Sequence, residues 1–245
     1  MTQAPLSFML PDVGRWDIPE VSSLPSWSSA GRVAVDLETK DPNLTKLGPG
    51  VRRDGKVVGI SFAIEDGPGF YLPIAHEGGD NLDPSKVWAY LRDQARTFRG
   101  DLVGANLQYD LDYLWENDVV FQPRFHRDVQ IAEPLIDELQ FEYGLNAIAA
   151  RYNLVGKDEE ALRHAAESFG VNPKKELWKL PGRFVAQYAI QDVRLPLEIL
   201  RQQDPLPATF FGDGGSRAAF ATKQKRKSDR PARGSRRPGR MGPIE

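Results

Sequence analysis

RVAVDLETK, residues 32–40, is the stretch on which the fold turns. Arg32 to Glu38 reads as a strand, because an apolar run of this length bounded by polar positions suits a core-facing element. Successive strand side chains point to opposite faces, so Asp36 and Glu38 emerge together while Val35 and Leu37 occupy the other side. Two anions side by side on an otherwise buried strand need a compensating charge. Water at an exposed strand end is the competing explanation.

Downstream, Lys56 to Glu65 and Gly69 to Ala75 read as two further strands. They are separated by the Gly/Pro-rich loop around Leu47 to Gly55 and by Asp66-Gly67-Pro68-Gly69. Three consecutive antiparallel strands follow. Asp83 then caps a helix with Pro84 at its first position, and Val87, Trp88, Leu91 and Ala95 recur at helical spacing. Asp101 to Ala105 reads as a short buried strand and Gln108 to Asn117 as a helix with Leu111, Leu114 and Trp115 on its apolar face. From Val129 on the pattern is helical: Val129 to Leu139, Gly144 to Tyr152, Asp158 to Phe169 and Arg183 to Gln202, with Pro196 expected to kink or end the last. The expected class is α/β, a mixed sheet flanked by helices.

Two more motifs carry carboxylates at core edges. Asp110 in GANLQYDLDYL, residues 104–114, falls near the start of a helix that follows a strand. A helix-end carboxylate stabilised by the dipole is its ordinary role. Asp112, two residues on, faces elsewhere on the helix. In QYAIQDV, residues 187–193, Tyr188 and Asp192 lie one helical turn apart on one face. Each pattern alone is common. Taken in order, they bring four carboxylates to the edge of a core where bound cations make the charge tolerable, as in a two-metal site.

Composition narrows the alternatives. With 245 residues, 40% hydrophobic and 10% aromatic, the chain can bury one sizeable core. Lacking cysteine, it excludes disulfides, thiolate metal sites and a cysteine nucleophile, and a zinc site would have to use His76, His126, His164 and carboxylates. No basic start with an apolar run, and no apolar stretch long enough for a membrane span, is found, so a cytoplasmic protein without a membrane partner is expected. From Gly212 to Glu245 ten Lys or Arg stand against three Asp or Glu, about +7, which leaves the rest of the chain near −9 within a net −2. The expected domain plan is an N-terminal arm over residues 1–30, a catalytic domain over 31–203, and a disordered basic tail over 204–245.

VDLET, NLQYD and YAIQD in this order resemble the three motifs of the DEDD superfamily of 3'→5' exonucleases in its tyrosine branch. Most closely they resemble the proofreading domain of family A DNA polymerases. The resemblance covers roughly Arg32 to Gln203 and matches all five signature positions. It implies an RNase H-like fold with a five-stranded sheet. It also implies metal binding by Asp36, Glu38, Asp110 and Asp192, water positioning by Tyr188, and two divalent ions, Mg²⁺ or Mn²⁺. Asn106 and Tyr109 match strand-contacting positions, and Thr39 directly and Leu44 approximately match the pocket for the terminal base, where packing is an equal role for Leu44. The implied reaction is hydrolysis of the terminal phosphodiester of single-stranded or frayed DNA, in proofreading or repair, with nucleic acid as partner and a separate polymerase as a candidate one. Family A polymerases continue into a synthetic domain, whereas about forty residues follow here, so a free-standing exonuclease or a truncated relative is expected. An RNA-trimming exonuclease of the RNase D type and an inactive nucleic-acid-binding domain are the alternatives. The first normally carries an extra helical domain, and the second has no physical need for four converging carboxylates.

Overall fold

The computed structural model describes residues 16–204, so the expected tail, apart from Asp204, and the first half of the expected arm lie outside the described residues. In chain order the elements are β1 (Arg32–Lys40), α1 (Leu44–Leu47), β2 (Lys56–Ile64), β3 (Gly69–Pro73), α2 (Pro84–Thr97), β4 (Asp101–Gly104), α3 (Leu107–Glu116), β5 (Phe125–Asp128), α4 (Val129–Ile136), α5 (Leu145–Arg151), α6 (Glu160–Phe169) and α7 (Gly182–Gln203). The sheet order is β3-β2-β1-β4-β5. β1 pairs antiparallel with β2 and parallel with β4, which puts the RVAVDLETK strand at the centre. β2–β3 is antiparallel and β4–β5 parallel. This mixed five-stranded sheet with helices on both faces is the RNase H-like fold.

Alternation along β1 sorts the two cores. Val33, Val35 and Leu37 join Val87 and Leu91 of α2 and Leu107 and Leu114 of α3 on one face. Ala34 faces the other way, into a cluster with Ile148 of α5 and Val193 and Leu197 of α7. Strand periodicity therefore aims Asp36 and Glu38 at α7. Immediately after Glu38 the register with β2 shifts, since Glu38 opposes Gly59 but Thr39 opposes Val57. The extra residue, Val58, belongs to β2, so that strand bulges across from the end of the acidic pair while β1 stays paired through Lys40.

Trp27 packs fully buried on the first core, with Phe62 at 4.9 Å and Phe121 stacked at 5.6 Å between ring centroids. The side chain of Asp83 accepts a hydrogen bond from the backbone of Ser85, with Pro84 behind it in the first turn of α2, as the sequence leads one to expect. Asp128, the last residue of β5, accepts backbone N–H bonds from Asn106 at 3.2 Å and Leu107 at 2.8 Å, and from Gln130 and Ile131 at 3.0 Å each. One carboxylate thus ties together the starts of α3 and α4. Asn106 sits at φ 61°, a left-handed conformation that Asn tolerates better than most side chains.

α7 runs through Pro196 to Gln203 without ending there. A proline removes one helical hydrogen bond, in this register the one to the carbonyl of Asp192. Burial of Leu195, Leu197, Ile199 and Leu200 in the second core holds the helix across that gap. Among the described residues no helix is long and apolar enough to cross a membrane.

Candidate active site

The carboxylates of Asp36, Glu38 and Asp192 each offer one oxygen within 4.8 Å of the others. They line a cleft of about 320 Å³ together with Leu37, Ala105, Gln130, Leu145, Lys157 and Tyr188. The central strand supplies the first two anions, and α7, packed over that strand, supplies Asp192 and, one turn before it, Tyr188. The three carboxylates and the tyrosine expected to act together are thereby brought into one cleft.

Asp110 is buried beside them without joining the close triad. Its negative charge is the strongest of those raising Asp36. Its carboxylate lies against the backbone of Leu37 in β1. The α3 terminus receives no side-chain cap from its preceding residue, and Asp128 serves that end instead. Asp110 therefore faces the sheet rather than its own helix end. Asp112 is partly exposed, two residues further round α3.

Beneath Glu38 lies Gly59, where a Cβ would come within 2.0 Å of the Tyr71 hydroxyl. That hydroxyl fills the space and pairs with Nε2 of His76 at 2.5 Å, forming a buried polar floor. Burial holds the His76 imidazole down at about 4, and hence neutral.

The electrostatics follow from four anions in a poorly hydrated cleft. Burial, then the charges of Asp110, Asp192 and Glu38, raise Asp36 well above the usual carboxylate range, with Lys157 opposing. Glu38 is pushed up to about 8 by burial and by Asp192, again with Lys157 opposing. Asp110 and Asp192 are raised chiefly by burial. Tyr188 is raised too, by burial and then by Asp192, Glu38 and Asp36, so its hydroxyl stays protonated and can donate but not act as a base.

The expected strand-binding residues are placed less uniformly. Thr39 Oγ1 and the Tyr109 hydroxyl lie 2.8 Å apart, and Tyr109 also donates to Asp41 at 3.3 Å. These two form a pair at the end of β1 that lies across from the β2 bulge. Asn106 is exposed, and Leu44 is 40% exposed at the start of α1. Neither lines the cleft. Asp41 was not singled out by sequence reasoning, yet it accepts from Tyr113 at 2.8 Å and from the backbone of Gly50 at 2.8 Å, anchoring the loop after β1.

Lys157 was missed as well. Its Nζ lies 2.6 Å from Asp192 Oδ1 and 3.2 Å from the Tyr188 hydroxyl. No periodicity marks a loop lysine, and only the tertiary path brings it here.

As a donor set, carboxylate oxygens converging on one point fit a hard divalent cation. The acidic cluster can hold metal.

Fold and motif set together resemble those of DnaQ-like exonuclease domains of the tyrosine branch. The chain is 57% identical over 192 residues to a DNA-directed DNA polymerase of Pseudomonas phage M6, covering 77% of this chain and 29% of that relative. It is 25% identical over 157 residues to DNA polymerase DpoZ of Acinetobacter phage SH-Ab 15497, covering 60% of this chain and 25% of the relative. The chain thus spans less than a third of the curated relatives it matches. Similar solved structures include Brucella melitensis NrnC, at 20% identity and TM-score 0.46 over 82% of this chain and 85% of that one. The Aedes aegypti Nibbler EXO domain matches at 13% identity and TM-score 0.46, over 78% and 84%. No protein-family model matches the chain.

Proposed function

We propose that this chain is a 3'→5' exonuclease that hydrolyses the terminal phosphodiester of single-stranded or frayed DNA and releases nucleoside monophosphates. The observation that carries this reading is the convergence of Asp36, Glu38 and Asp192 in one cleft with Tyr188. Asp36, Glu38 and Asp192, with Asp110 behind Asp36, would hold two ions, Mg²⁺ or Mn²⁺. Bound there, such ions supply acidity to a nearby water and positive charge to the phosphoryl oxygens.

The protein's own groups account for the rest. Tyr188, kept neutral, orients the attacking water by a hydrogen bond. Water adds to phosphorus and gives up one proton to solvent, the bond from phosphorus to the 3' oxygen breaks, and that oxygen takes a proton from solvent as the shortened strand leaves. Thr39 and Tyr109, joined at the end of β1, sit where a terminal nucleotide can be held beside the acidic pair. Only an unpaired end can reach into a cleft of this size, which favours frayed or mismatched termini.

The phage relative named a DNA-directed DNA polymerase supports DNA as substrate and a proofreading setting. The test uses 5'-end-labelled single-stranded DNA and RNA of one sequence, with Mg²⁺ or with EDTA. DNA should shorten from its 3' end in Mg²⁺ and stay intact in EDTA. Faster trimming of the RNA would move the assignment to RNA processing.

A further inference from the structure

We propose that Lys157 is a positioning residue of the carboxylate cluster, a resident cation that holds Asp192 and Tyr188 together and competes with divalent metal for Asp192. Its Nζ reaches Asp192 Oδ1 at 2.6 Å and the Tyr188 hydroxyl at 3.2 Å, and lies 4.6 Å from the centroid of the Tyr188 ring. Lys157 is thus the side chain that both Asp192 and Tyr188 contact, one helical turn apart on α7. Only 13% of the lysine side chain is exposed, unlike the solvated charges elsewhere on the surface.

The loop that carries Lys157 is built to keep it there. The backbone N–H of Lys157 donates to Asn146 Oδ1 at 2.7 Å, and that of Asp158 donates to Gln191 Oε1 at 2.7 Å. The loop is therefore clamped to α5 on one side and to α7 on the other, with Gln191 adjacent in sequence to Asp192. A lysine on a loose loop would sample many rotamers in water. Here the backbone is fixed on both flanks, and the ammonium points at the same carboxylate that the metal triad shares.

A fixed positive charge against one ligand of a divalent ion has a definite consequence. It stabilises the cluster when metal is absent, and it repels and competes with the incoming ion. A lysine serving only to pack the loop would do the opposite on removal, because a loosened loop would weaken the metal site. This proposal rests on the reading of the cluster as a metal site and adds the residue that sets its affinity.

The test compares the wild-type chain with Lys157→Met and Lys157→Arg after EDTA stripping and dialysis. Mn²⁺ affinity is measured by calorimetry or electron paramagnetic resonance, and melting temperature is measured without metal. Lys157→Met should bind Mn²⁺ about tenfold more tightly, as expected for removing one charge a few ångströms from a divalent ion. It should also melt several degrees lower than wild type without metal, while Lys157→Arg should track wild type in both. Unchanged or weaker Mn²⁺ binding by Lys157→Met, with wild type still binding the ion, would overturn the role of Lys157 and leave the metal site standing. Absence of Mn²⁺ binding by the wild type would instead overturn the metal site itself and the proposal with it.

Discussion

Removing divalent ions should make the protein melt at lower temperature as the pH rises above neutrality. Glu38 is held at about 8 against an ordinary 4.5, and Asp36 and Asp110 are raised in the same direction. A carboxyl whose folded-state pKa is raised stabilises the fold fully below its unfolded value, and this stability is lost as pH climbs through the folded one. For Glu38 alone the linkage amounts to about 1.5 kcal/mol between pH 7 and pH 9, and Asp36 and Asp110 add to it with the same sign. In a domain of this size that is roughly 3–6 °C of melting temperature. His76, held at about 4 by burial, has the opposite sign, since its stability contribution is lost as pH falls from its unfolded value near 6.5. It is silent above pH 7, which is why the window starts there. Melting curves would be recorded by circular dichroism at pH 7, 8 and 9, in EDTA and in excess Mg²⁺. The slope should be steep in EDTA, shallow in Mg²⁺, and reduced in EDTA for Glu38→Gln. A melting temperature in EDTA that is flat or rises over this range would refute the electrostatic account of the cluster.

Other outcomes follow from the same geometry. Asp192→Ala should lower the rate of DNA hydrolysis by several orders of magnitude, and Tyr188→Phe by less, because only the hydrogen bond to water is lost; single-turnover kinetics at saturating Mg²⁺ would measure both. Asp110→Ala should be strongly impaired and Asp112→Ala nearly silent in the same assay, and equal damage from the two would mean that the second motif is misplaced. Asp128→Ala removes the acceptor for four backbone N–H groups at two helix starts and should cost about 2–3 kcal/mol in urea unfolding. Deleting residues 212–245 should raise KM for DNA at low salt and leave kcat unchanged, as expected if its basic residues contact phosphates.

The acidic pair was legible because a strand has period two, so Asp36 and Glu38 had to share a face whatever lay opposite. Tyr188 and Asp192 were legible from the helical turn between them. α2 was readable at both levels, from Asp83 and Pro84 at its start and from its apolar spacing. The strand β5 was not, because Phe125–Asp128 is a short edge element with exposed Phe125 and His126 and no apolar alternation. With it went Asp128, whose importance lies in four backbone partners drawn from the starts of two helices. Lys157 was hidden for a related reason. It is placed by Asn146 and Gln191, residues 11 and 33–34 positions away, through bonds that leave no pattern in the local sequence. Helix α7 passes Pro196 because tertiary burial on the sheet outweighs one lost hydrogen bond, a balance that local propensity does not express.

The central claim is that hydrolysis takes place at the carboxylates on the edge of β1. The most direct measurement is the rate of 3'-end shortening of 5'-labelled single-stranded DNA by Asp36→Ala, beside wild type, in Mg²⁺ and with matched melting curves. A folded variant whose activity falls to the EDTA background is the predicted result. A folded Asp36→Ala protein that still shortens DNA at a rate near wild type would contradict the account.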